Sequence, residues 1–173
     1  LDLKAKIRNI KDFPKKGIVF RDITPLIGDG DALKYTIDVM ADYYKGKKVD
    51  AILGAEARGF IFGAALAYRL GTGFIPVRKP GKLPYKTRKV SYDLEYGSNV
   101  MEMHVDAIKP GDNILIADDL AATGGTAKAQ AELVEKSGGK VAGFCFLIEL
   151  EFLNPREMLK GYDVMSLIKY DSE

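Results

Sequence analysis

The sequence predicts an α/β fold: a doubly wound, mainly parallel sheet with helices on both faces. Short, continuously apolar stretches recur at 49–54, 73–77, 113–117 and 141–148. Segments of helical length, one rich in alanine, lie between them at 60–70 and 125–136. The first and third apolar stretches each run into a turn of small residues before a helix. Strands that are apolar throughout are buried on both faces, as in a parallel sheet covered by helices. Right-handed crossovers then place ligands beyond the carboxyl ends of the strands.

The elements follow in order. Leu3, Ile7 and Ile10 recur at near-helical spacing and predict a short amphipathic helix, ended by Pro14 and Gly17. Residues 18–24 read as an extended segment before Pro25. Asp31 is positioned to cap a helix whose apolar residues are Leu33, Ile37 and Met40, closed by Gly46. The strand at 49–54, the turn at 56–59, the helix at 60–70 and the strand at 73–77 make one crossover unit. The strand at 113–117 and the helix at 125–136, ended by Gly138 and Gly139, lead into the strand at 141–148. A last strand is expected at 162–169. Between the two units, 78–106 is long and polar in its first half, with a hairpin expected around Gly97, Ser98 and Asn99. Such a segment can serve as a flexible hood over a site.

Composition bounds the function. The 173 residues fit one domain spanning 1–173. Net charge is +2, which gives no general reason to expect nucleic-acid binding. No apolar run reaches the roughly 18 residues of a membrane helix, and the start does not resemble a signal peptide. Cys145 is the sole cysteine, lies in an apolar run and reads as a buried structural thiol. These features favour a cytoplasmic protein. His104, the sole histidine, falls in an alternating stretch and reads as an outward strand position. With no second histidine and no cysteine pair, a zinc site has no supporting residues, and no spacing supports a Ser/His/Asp centre.

The strongest chemical signal runs from 114 to 126. A buried strand delivers Asp118 and Asp119, and then Ala122, Thr123, Gly124, Gly125 and Thr126 open a helix. Glycines let backbone approach a ligand closely, and successive N–H groups at a helix start form an anion nest. The two threonines add hydroxyl donors. The pattern reads as a phosphomonoester cradle, with the two carboxylates able to accept hydrogen bonds from vicinal sugar hydroxyls or to lie near a divalent cation. A Walker-type phosphate loop is not present in the sequence.

A second turn, Glu56-Ala57-Arg58-Gly59, presents one arginine after an earlier strand. Its planar fork suits phosphate oxygens. Arg78, Lys79 and Lys82 follow another strand end directly and are weighted toward phosphate contact. Lys86, Arg88 and Lys89 read as a solvated charge run.

At this point the chain resembles a known family. The strand, the Asp-Asp pair and the Thr-Gly-Gly-Thr turn look like the phosphoribosyl pyrophosphate (PRPP) fingerprint of type I phosphoribosyltransferases. The stretches 13–25, 81–84 and 92–97 are similar to the base-binding segment and hood of the adenine phosphoribosyltransferases within that family. The likeness spans about 13–150, with Ala121 a departure where a larger leucine is common.

The resemblance implies transfer of a phosphoribosyl group to adenine, giving AMP and pyrophosphate, with Mg²⁺ as cofactor and a homodimer as the assembly. It implies that 122–126 hold the 5-phosphate, that Asp118 and Asp119 face the ribose, and that Glu56, Ala57 and Arg58 grip pyrophosphate around a non-proline cis peptide. It makes Glu95 the catalytic carboxyl. Backbone groups of Val19 and Arg21 would read the adenine edge, Phe20 would stack on the ring, and Leu150 would pack on its other face. Two alternatives stand beside this reading: transfer to hypoxanthine, guanine or xanthine, and a non-catalytic regulator that senses a purine or PRPP.

Overall fold

The computed structural model describes residues 1–93 and 97–173. Five parallel strands form the central sheet: β3 (Ala51–Ala55), β4 (Gly73–Val77), β7 (Asn113–Ala121), β8 (Lys140–Leu150) and β9 (Val164–Tyr170), in the order β4-β3-β7-β8-β9. Counted along the chain, the first strand of this sheet lies inside the second, and the winding direction changes between β3 and β7. That change marks a topological switch point, where loops from neighbouring strands part and leave a crevice.

Helices cover both faces. On one face lie α2 (Gly30–Tyr44) and α3 (Arg58–Leu70), which bury Met40, Tyr44, Phe62 and Leu66 against Ile52 and Leu115. On the other, α4 (Gly125–Lys136) buries Leu133 and Val134 with Leu53, Ile114, Ile116 and Phe144. Alternate residues of β3 and β7 therefore feed two separate cores, which is why both strands read as continuously apolar. Cys145 is buried, as expected. Burial pushes its thiol pKa up and keeps it protonated.

Several local expectations are corrected. The N-terminal segment is a single 3₁₀ turn (Lys4–Lys6) followed by β1 (Arg8–Lys11), which pairs antiparallel with β2 (Val19–Asp22). Leu3 and Ile7 are buried as a helix would have buried them, but pairing with β2 overrides the periodicity. The cap of α2 is Asp29, not Asp31: its carboxylate accepts from the Asp31 and Ala32 N–H groups at 3.0 and 3.1 Å. Asp29 also pairs with Lys6 at 2.7 Å, which ties the N-terminal segment to the helix.

The hairpin forms from β5 (Thr87–Asp93) and β6 (Ser98–His104), with Asp93 opposite Ser98. Its alternating apolar residues Val90, Met101 and Met103 are buried in the second core, so the described part of the hood is bedded on the domain. His104 is half-buried, and its Nε2 accepts from the Tyr85 N–H at 3.3 Å.

Candidate active site

The site forms where β7 outruns β3. Pairing of the two strands ends at Leu53 opposite Ile116, whereas β7 continues beside β8 as far as Ala121 opposite Glu149. Asp118 and Asp119 therefore lie inside the strand rather than beyond its end, on an edge that β3 has already left. The opening is a cleft of about 290 Å³ lined by Glu56, Ala57, Arg58, Arg78, Lys79, both aspartates and residues 122–126. Those groups approach it from three strand ends that are far apart in sequence.

The turn after β7 is built for close approach. Gly124 has φ +92°, and an added Cβ would lie 2.9 Å from both the Pro155 carbonyl oxygen and Met158 Cβ. Only glycine fits that conformation and that space. Helix α4 starts at once, and no side-chain cap is seen at its N-terminus among the described residues. The N–H groups of its first turn have no intrahelical acceptor and carry the positive end of the helix dipole, which suits a phosphate. Thr123 and Thr126 are exposed on the cleft side, whereas Gly124 is buried.

The acidic pair is electrostatically asymmetric. Desolvation pushes the Asp118 carboxyl well above the usual carboxylate range, and the adjacent Asp119 charge pushes the same way. Its Oδ1 accepts the Asp119 N–H at 2.8 Å. An added Cβ at Gly59 would come within 3.2 Å of that oxygen, so the start of α3 packs directly on Asp118. Asp119 is buried and accepts from Arg58 Nε. The Asp119 charge is the main reason the Arg58 guanidinium pKa is raised still further.

Glu56 faces the other way. Its Oε2 accepts from Arg78 Nε at 3.1 Å and Nη2 at 2.8 Å, and its Oε1 accepts from the Lys79 N–H at 2.8 Å. The Arg78 bonds come first in holding this carboxyl below its ordinary pKa, with Lys79 next. Arg58 lies two positions from Glu56 in the chain, yet the two do not pair. In the structure Glu56 takes Arg78 and leaves Arg58 to Asp119. The Glu56–Ala57 peptide is cis.

Not every sequence candidate is brought here. Lys82 is exposed and does not line the cleft, although its charge also helps to lower the Glu56 pKa. Val19, Phe20, Arg21 and Leu150 likewise lie outside the lining. Phe20 is half-buried and meets Phe13 edge-on at 5.2 Å between ring centroids. The Arg21 side chain is taken up by Asn9, the Ser172 carbonyl and the face of Tyr170. Glu95 lies outside the described residues. Tyr92, Asn99 and Met101 of the hairpin do line the cleft, and sequence reasoning did not single them out. The alternation that sends Val90 inward sends Tyr92 to the same face, which is the signal that could have found it.

No cluster of three or more His, Cys, Asp or Glu side chains is placed to hold a metal among the described residues. Asp118 and Asp119 are the oxygen donors in the cleft that fit a Mg²⁺ ion held chiefly through substrate phosphates and water.

A parallel sheet with a phosphate-type cradle and a facing acidic pair at its switch point defines a sugar-phosphate-binding domain of the phosphoribosyltransferase class. The family described as phosphoribosyl transferase domain matches residues 27–168. The adenine phosphoribosyltransferase of Clostridium perfringens is 60% identical over 171 residues, covering 99% of each chain. Among solved structures, adenine phosphoribosyltransferase from Thermoanaerobacter pseudethanolicus superposes with a TM-score of 0.95 at 55% identity, covering 98% of each chain. The Saccharomyces cerevisiae enzyme, complexed with an imino-altritol bisphosphate and adenine, gives 0.89 at 40% identity, covering 95% of this chain and 96% of that one. The chain belongs to the adenine phosphoribosyltransferase family.

Proposed function

We propose that the protein joins adenine to the ribose 5-phosphate of PRPP, releasing pyrophosphate and forming AMP in purine salvage. The observation that carries this reading is the convergence of Arg58, Asp118, Asp119 and residues 122–126 on one cleft. A bond forms from adenine N9 to the anomeric carbon as the bond from that carbon to pyrophosphate breaks, and the proton on the purine ring leaves to a base.

The proposed residue roles combine the cleft geometry with the resemblance to the family. The first-turn N–H groups of α4 and the Thr123 and Thr126 hydroxyls hold the 5-phosphate. Asp118 and Asp119 accept from the ribose hydroxyls and fix the sugar in line for attack. Arg58, with Glu56 and Ala57 beside it and Arg78, Lys79 and Lys82 on the facing loop, meets the charge that grows on pyrophosphate. A Mg²⁺ ion held near Asp118 and Asp119 would supply further neutralisation of the charge on pyrophosphate. Glu95 manages the purine proton. Backbone groups of Val19 and Arg21, the ring of Phe20 and the side chain of Leu150 form the adenine subsite. Support for these last assignments comes from the resemblance of 13–25 and 92–97 to the family.

A homodimer in the cytoplasm completes the reading. Ile61 and Tyr68, about two turns apart on α3, are exposed apolar side chains suited to a partner copy. No helix among the described residues is long and apolar enough to cross a membrane.

The deciding experiment incubates purified protein with PRPP, Mg²⁺ and each purine in turn. AMP formed from adenine, with far slower turnover of hypoxanthine, guanine and xanthine, is the expected result. Preference for a six-oxo purine would overturn the adenine assignment. No turnover of any base, together with retention of nucleic acid on a filter, would favour a regulator instead.

A further inference from the structure

We propose that Arg156, acting through the buried carboxylate of Glu149, is a positioning residue for the phosphate loop at 122–126. Glu149 lies near the end of β8, is 2% exposed and does not itself line the cleft, although its strand partner Ala121 does. Arg156 grips it with a two-point fork: Nε to Oε2 at 2.9 Å and Nη2 to Oε1 at 2.9 Å. Ser166 Oγ donates to Oε1 at 2.6 Å, and Arg156 Nη1 donates to the Val164 carbonyl at 3.2 Å. One side chain thus ties the short helix α5 (Pro155–Met158) to both β8 and β9.

Helix α5 is the wall behind the phosphate loop. The Pro155 carbonyl and Met158 Cβ fill the space where a Cβ on Gly124 would go. A four-residue helix has no stability of its own, so tertiary anchors decide where that wall stands. Burial of Pro155 and Leu159 supplies apolar anchors at the two ends of α5. The Arg156 fork supplies the directional one. Burial pushes the Glu149 carboxyl up, but the bonds from Arg156 and Ser166 outweigh it and keep the group ionised. Removing the arginine leaves that buried charge on a single hydroxyl donor, a state that drives local rearrangement. The N–H groups that converge on phosphate would lose their backstop.

The proposal rests on the reading that this loop holds the 5-phosphate, so the test carries a control for that reading. Binding of ribose 5-phosphate is measured by calorimetry, and KM for PRPP by initial rates, for Arg156→Met, Arg156→Lys, Met158→Ala and Thr126→Val. Methionine keeps the packing of the arginine stem and removes the fork. Arg156→Met is expected to weaken ribose 5-phosphate binding and raise KM for PRPP about tenfold, the scale of a small misplacement in a preorganised site. Lysine should restore part of the loss. Met158→Ala keeps Cβ but removes Cγ, which lies 3.4 Å from where a Gly124 Cβ would go, and should shift binding the same way; the double variant should fall short of the sum, because both act on one wall. A lowered melting temperature with unchanged ribose 5-phosphate affinity in Arg156→Met would overturn the proposal. If that variant does not fold, unchanged affinity in both Arg156→Lys and Met158→Ala overturns it instead. If Thr126→Val binds ribose 5-phosphate as wild type does, the phosphate reading fails and the strut falls with it.

Discussion

Arg58, at the first turn of α3, and Asp119, within β7, form an ion pair across the floor of the cleft, Nε donating to Oδ2. They stand 61 positions apart in the chain. The Asp119 side chain is almost enclosed, whereas that of Arg58 remains about half exposed. The pair engages Nε of a guanidinium that also lines the cleft. In the proposed reading it also couples the pyrophosphate-binding and ribose-binding parts of the site through a single contact.

Replacement of Arg58 by lysine keeps the charge and loses the fork. The expected fall in kcat/KM is on the order of 10²-fold, the usual scale for one transition-state donor. AMP formation under saturating adenine measures it. Activity within a factor of about two of wild type would mean that charge alone suffices at this position.

Asp118 gives a pH prediction with a definite sign. Its pKa in the folded protein is raised, so the folded state holds this proton more tightly than the unfolded chain does. Stability should therefore decline as pH rises from the ordinary carboxylate range through the raised value, and the cost is complete above it. Asp118→Asn removes the titration. Thermal melts of the variant should exceed wild type at neutral and alkaline pH and converge with it in acid, while turnover falls. A stability gain of equal size at every pH would show that Asp118 is not the titrating group.

Gly124→Ala places a side chain at φ +92° against the Pro155 carbonyl. Left-handed backbone costs a non-glycine residue about 1–2 kcal/mol, and the 2.9 Å contact adds to it. We expect lower stability by urea denaturation and loss of ribose 5-phosphate binding together. Gly17, also at positive φ but with nothing within 4 Å of an added Cβ, serves as the comparison: its alanine variant should lose stability alone.

Glu95→Gln tests the proton-transfer role. Turnover should drop roughly 10²-fold or more, the typical contribution of a positioned acid or base, while PRPP binding survives. Wild-type turnover in this variant would remove Glu95 from the mechanism.

The parts of the site that were legible in the sequence are those made of contiguous residues. The cradle at 122–126 and its acidic pair follow one another along a strand, a turn and a helix start, so local rules determine their geometry: glycine where φ is positive, free N–H groups where a helix begins. The central strands were legible for a related reason, because burial on both faces leaves only apolar side chains. The N-terminal segment was not. Leu3, Ile7 and Ile10 have a spacing that a helix and a short turn-plus-strand both satisfy, and pairing of Arg8–Lys11 with Val19–Asp22 decides between them.

By itself, then, the sequence determined the α/β class, the phosphate turn and the family. Tertiary structure alone decided which charge meets which: Arg58 with Asp119, Arg78 with Glu56, Arg156 with Glu149. Backbone preferences act over a few neighbouring residues, whereas an ion pair depends on where two separate strand ends come to rest. Chain spacing carries no record of that distance until the sheet has been assembled.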